Sequence, residues 1–137
     1  MTDVKAFIKK WHGRTLQDDG AWVSKEFKSF QTAFGNAMKK IADSLGGEVV
    51  NYSKGHYDMS GFIKRGDKFV YFSYDNSIGN GGRSHVNLKF CDGWFCDGWH
   101  SPLLIRTAKH ERDYTGGRNN YESFEHCEEL IDKLLNE

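Results

Sequence analysis

Across residues 24–45 apolar side chains return every three or four positions: Phe27, Phe30, Phe34, Met38, Ile41 and Leu45. That period lays them along one face of a helix and leaves Lys25, Lys28, Lys39 and Lys40 off the stripe, in solvent. Ser24 is placed to cap the start, and Gly46-Gly47 to end it in a left-handed turn. A shorter stripe of Val4, Phe7, Ile8 and Trp11 predicts a helix over residues 3–11, capped by Thr2 or Asp3 and stopped at Gly13. Towards the other end, Phe124, Cys127, Leu130, Ile131, Leu134 and Leu135 form a third stripe behind Ser123, a candidate cap.

Between the second and third stripes the period falls to two. Strands are expected over residues 48–53, 56–64, 68–74, 85–90 and 103–109, with Lys54-Gly55 and Gly66-Asp67 at the first two turns. In the third of these, Phe69 and Tyr71 oppose Val70, Phe72 and Tyr74, so both sides are apolar. Such a strand belongs in the middle of a sheet or in a sheet covered on both faces. Pro102, just before the last strand, suits a strand start or an edge. The order helix, helix, strands, helix predicts an α+β fold. Its antiparallel sheet, a meander of about five strands, has the N-terminal helices and the C-terminal helix packed largely on one face.

Composition narrows this picture in four ways. The 137 residues fit one domain spanning 1–137. Lys+Arg and Asp+Glu both number 19, so no bulk electrostatic argument for nucleic acid exists. The charge is nevertheless uneven: residues 122–137 carry six carboxylates against Lys133 alone, which leaves the rest of the chain basic. The 3 cysteines supply no paired disulfide framework, which favours a reducing cytoplasm. We expect a cytoplasmic protein with no membrane association, because no secretory layout and no run of about 18 apolar residues is present.

The chemistry is concentrated in residues 106–121, between the last strand and the acidic helix. Arg106, Lys109, His110, Glu111, Arg112, Asp113, Tyr114, Gly116, Gly117, Arg118 and Tyr121 all fall there. Packing does not require that mixture. Gly116-Gly117 permits backbone N–H groups to converge on an anion, and arginine binds phosphate or carboxylate in a bidentate fork. The same Gly-Gly-Arg triplet recurs at Gly81, Gly82 and Arg83, so two loops of one sheet become a candidate recognition surface. Lys64 and Arg65 add a basic hairpin tip. Neither a P-loop nor a dinucleotide-binding glycine pattern occurs.

Residues 90–99 read Phe-Cys-Asp-Gly-Trp twice. Each Asp-Gly favours a turn, so the segment is expected to loop out and carry Trp94 and Trp99 as possible anchors. Cys91, Cys96 and His100 lack the tight cysteine pairs of structural zinc sites. No metal and no cofactor is expected.

Ser60-Gly-Phe62, Lys68-Phe-Val-Tyr-Phe-Ser73, Ile105-Arg-Thr-Ala-Lys-His110 and Asp113-Tyr-Thr-Gly-Gly-Arg-Asn-Asn-Tyr121 resemble small single-domain proteins encoded by bacterial phages, plasmids and other mobile elements. The resemblance spans roughly residues 27–135 and excludes the tandem pentapeptide. It brings no established activity and no catalytic residues. It implies a setting in which small accessory proteins bind and inhibit host defence machinery, CRISPR nucleases included.

Three functions follow from these residues. The favoured one is a non-enzymatic binding or inhibitor protein that engages a host protein, a nucleoprotein complex, or RNA or DNA directly. The second is a small phosphodiesterase or nuclease-like enzyme, with His110 and Glu111 or Asp113 as acid–base groups and the arginines stabilising negative charge. The third is a sponge for a phosphate-bearing small ligand. The sequence gives no oligomeric state.

Overall fold

The computed structural model describes residues 2–14, 16, 25–55, 58–75, 86–89 and 103–137. In chain order these form α1 (Lys5–Trp11), α2 (Lys25–Ser44), β1 (Glu48–Lys54), β2 (Asp58–Arg65), β3 (Lys68–Asp75), β4 (Leu103–Ala108) and β5 (Asn120–Tyr121). A single 3₁₀ turn over Phe124–His126 then leads into α3 (Cys127–Leu135). The sheet is antiparallel with the strands in order β1-β2-β3-β4-β5, and β3 is central, as its two apolar sides predict.

Register decides what each face carries. Ile63 pairs with Val70, Met59 with Tyr74, and Phe72 with Ile105, and these residues face the helices. There they meet the α2 stripe: Phe27, Phe30, Phe34, Met38 and Ile41 are fully buried. Burying a side chain of this size contributes about 1.5–3 kcal/mol, so the stripe is the principal reason α2 docks. Its end is fixed as the Gly-Gly pair predicts. Gly46 adopts φ +75°, Gly47 N–H donates to Ala42 O at 2.8 Å, and Gly46 N–H to Asp43 O at 3.1 Å. Together these bonds satisfy carbonyls that the last helical turn leaves open.

The opposite face carries Phe62 opposite Tyr71, and Tyr71 opposite Arg106. A β-bulge shapes this face. β1 pairs in register as far as Val50 opposite Phe62, and the register then shifts before Ser53. Asn51 sits in the bulge at φ +54°, a conformation that asparagine tolerates better than most side chains.

Three local expectations are corrected. Residues 86–89 are not a sheet strand. Val86 N–H donates to Arg14 O (2.8 Å) and accepts at its carbonyl from Gly13 N–H (2.7 Å), while Leu88 O accepts from Phe124 N–H (3.0 Å). The segment is thus tied to the end of α1 and to the 3₁₀ turn. Its alternation arises because Val86 and Leu88 bury against the core, and β5 is the fifth strand instead. Ser123 makes no side-chain cap; its Oγ lies 3.0 Å from His126 Nδ1. At α1 the cap position is Val4, with the Asp3 carboxylate accepting from Lys5 N–H at 3.0 Å. Ser24, the expected α2 cap, and His56, His85 and Pro102 lie outside the described residues.

Candidate functional site

Residues 109–119 leave the end of β4, fold back over the face of the sheet opposite the helices, and return as β5. Arg106 organises the inner side of this loop. Its Cζ stands 4.6 Å from the Tyr71 ring centroid, a cation–π contact, and Nη1 donates to Asn119 Oδ1 at 3.1 Å. Nη2 donates to the carbonyl of Tyr114. Arg106 Nε is buried without a hydrogen-bond partner among the described residues.

Tyr114 closes the aromatic set. Its ring centroid lies 5.4 Å from that of Phe62 and 5.8 Å from that of Tyr71, both edge-on, and Phe62 and Tyr71 are 5.2 Å apart. The edge-on geometry matches the ring quadrupoles. Phe62 is fully buried although it faces away from the helices. Asn51 reaches across from the bulge, its Nδ2 donating to Glu111 O at 3.0 Å and to Tyr114 Oη at 3.1 Å. Asn120 Nδ2 bonds Ile105 O (3.2 Å) and Arg118 O (3.0 Å), which pins the returning end.

Asp113 holds the loop's internal turn. Its carboxylate accepts from Lys109 N–H at 2.9 Å and from Thr115 N–H at 3.3 Å, and Asp113 N–H donates to His110 O at 3.2 Å. The Lys109 amide is the chief cause of a carboxyl pKa below the usual range; the Thr115 and Gly116 amides and the nearby His110 act in the same direction, and desolvation opposes them. The amide cluster expected to cradle an external anion therefore already surrounds one, supplied by the chain itself. A Cβ at Gly116 would collide with the Asp113 carboxylate, and one at Gly117, where φ is +76°, with the Thr107 carbonyl. Both glycines thus serve the fold of the loop.

The predicted residues divide accordingly. Arg106 and Asp113 face inward, and Gly116 and Gly117 shape the loop around them. Lys109, His110, Glu111, Arg112 and Arg118 are exposed, and Tyr114, 46 % exposed, shows one edge to solvent. Tyr121 is half-buried beside Leu104. Lys64 lies on the same sheet face, opposite Phe69 and over its ring. Arg65 departs from the expected free basic tip. Its guanidinium donates to Leu45 O (3.1 Å), Asp132 Oδ1 (3.3 Å) and Asn136 Oδ1 (2.7 Å) at the C-terminal ends of α2 and α3. Gly81, Gly82, Arg83, Trp94 and Trp99 lie outside the described residues, as do Cys91, Cys96 and His100.

As acid–base groups the loop residues are poorly disposed. Asp113 is engaged by backbone amides, and His110 Nδ1 accepts from Arg112 N–H at 3.2 Å. Among the described residues no group of three His, Cys, Asp or Glu side chains is arranged to hold a metal ion. Cys127 is buried, and burial first, then Glu128 and Glu122, push its thiol pKa up, which makes it a poor nucleophile. Sequence reasoning overlooked Asn51 and the Phe62–Tyr71 pair as the seat of the loop. The one signal for Asn51 was a residue disfavoured in strands, standing inside an apolar strand pattern.

Comparisons with protein-family models, with curated proteins and with solved structures give no match to this chain. No helix among the described residues is long and apolar enough to cross a membrane.

Proposed function

We propose that this protein is a non-enzymatic binding protein that uses the outer side of residues 109–119 to engage a negatively charged surface. One observation carries this reading: Arg106, Asp113 and Asn51 fix the inner side of the loop, so Lys109, Arg112, Arg118 and the edge of Tyr114 are presented in a set arrangement. A loop backbone held before contact loses less freedom on binding. Arginine and tyrosine are also the residues that most often dominate binding surfaces. The partner we favour is a nucleic-acid-handling protein of the host or its nucleic acid. The setting suggested by the sequence resemblance is inhibition of host defence by a mobile element, of the anti-CRISPR type.

The test is binding measured against salt. RNA and DNA are examined by mobility shift, and host lysate by affinity capture, each with wild type, Arg112→Ala and Arg118→Ala. Each variant is expected to weaken binding. For nucleic acid, each removed phosphate contact should lower the slope of log affinity against log salt by about one. Stability should stay within about 0.5 kcal/mol of wild type, since both side chains are exposed. Wild-type binding by both variants would reduce the loop to a connector.

A further inference from the structure

On the helical side, far from the loop of residues 109–119, a cleft of about 300 Å³ opens between three elements. Lys5, Ile8 and Lys9 of α1 form one wall, His12 the end of that helix, Lys89 the second wall and Glu125 of the 3₁₀ turn the third. Its size is at the small end of the range for ligand sites. Ile8 gives it an apolar floor, since that side chain is buried. Three lysines and one glutamate line it, and none of the three lysines forms an ion pair among the described residues. Charges of one sign gathered in a recess raise the local concentration of the opposite ion.

His12 gives the cleft a ring whose tautomer is set by the backbone. Leu88 N–H donates to His12 Nδ1 at 3.1 Å, so in the neutral ring the proton sits on Nε2. The Nε2–H is then the ring's remaining polar group for a ligand. Burial, followed by the charge of Lys89, lowers the pKa of this ring, which keeps it neutral and in that tautomer near neutral pH. The segment that carries Lys89 is fixed by the Val86–Arg14, Gly13–Val86 and Phe124–Leu88 hydrogen bonds, so the walls are held by the backbone.

We propose that this cleft is a binding site for the phosphoryl group of a small phosphomonoester. The surplus of two positive charges matches a group that carries about −1.5 to −2 at neutral pH. Lysine ammonium groups bind phosphoryl oxygens as point charges, so the cleft needs no arginine fork to hold such a group. The site is separate from the proposed recognition loop and does not depend on it.

The experiment follows the His12 ring proton by NMR, assigned through its loss in His12→Gln, while inorganic phosphate or glycerol phosphate is added. Chloride at matched ionic strength serves as the control. A bound dianion offsets the Lys89 charge, so phosphate should raise the His12 pKa along a saturable curve and chloride should not. In the double variant Lys9→Gln/Lys89→Gln, affinity should fall by roughly tenfold or more, in keeping with the loss of charge-assisted contacts. Glu125→Gln should bind more tightly, a gain that a purely structural role for Glu125 does not produce. Arg118→Ala should behave as wild type, which separates this result from the fate of the loop. A linear response equal to that of chloride, or wild-type affinity in a folded double variant, overturns the proposal.

Discussion

Phe34 and Phe62 are both fully buried, on opposite faces of one sheet, and their surroundings differ in kind. Phe34 meets the rings of Phe7, Phe30, Phe72, Tyr74 and Phe124, drawn from both N-terminal helices, the central strand and the 3₁₀ turn. Phe62 meets Tyr71 of its own sheet and Tyr114 of a single loop. On the helical side, uncovering the sheet means separating several elements at once. On the other side, among the described residues, it means breaking the ring and polar contacts of residues 109–119. Equal exposure therefore hides unequal cooperativity, and the loop side is where local opening should lie far below global unfolding.

The largest expected effect tests the first half of that contrast. Phe34→Ala should cost about 3–5 kcal/mol in denaturant unfolding, the usual loss for a large aromatic in a core that cannot close up. Phe62→Ala should cost clearly less, because the loop can settle into the vacated space. Equal losses would mean that the loop belongs to the same cooperative cover as the helices.

Gly117→Ala comes next, at about 1–3 kcal/mol, from a side chain forced to positive φ and against Thr107. Its signature should be local: amide exchange within residues 109–119 should accelerate well beyond the change in α2. Uniform acceleration would remove the distinction between the two covers.

The smallest effect is the acid response of the loop. The folded pKa of Asp113 is depressed, so its contribution is complete above the unfolded carboxylate value and is lost as pH falls through the folded value. The Lys109 and Thr115 amide resonances should follow that single step at a pH below the ordinary carboxylate range. Asp113→Asn should flatten the step. Amides that titrate in the variant as in wild type would show that another group controls the loop.

How much of this could be read from the sequence depended on whether side-chain period and structural role coincided. The α2 stripe and its Gly46-Gly47 stop were legible because burial imposes a helical period and the left-handed turn favours glycine. The central position of β3 was legible because residues covered on both faces are apolar on both. Val86 and Leu88 misled because alternation reports burial on one side and says nothing of a hydrogen-bonded neighbour. β5 was illegible: Asn120 and Tyr121 are too few to show a period. In the candidate site, the sequence concentrated attention on the right loop but could not sort its residues. Arg106 and Arg118 are the same residue type, and only the fold turns one onto Tyr71 and the other outward. The Gly116-Gly117 pair was read as a cradle for an anion, and Gly117 does adopt positive φ, yet the anion that the neighbouring amides meet, Asp113, lies within the same run.

Arg65 has a consequence for the order of folding events. It stands at the end of a two-residue hairpin, a structure that closes within microseconds from local contacts. The groups it binds, at Leu45, Asp132 and Asn136, arrive only when α2 and α3 are both in place. Bonds that await two docked helices are expected to form late, so their removal should hasten escape from the native state while leaving the approach to it nearly unchanged. In a chevron plot, Arg65→Ala should lift the unfolding arm and spare the folding arm. Such a residue governs how long a folded molecule lasts more than how quickly it forms.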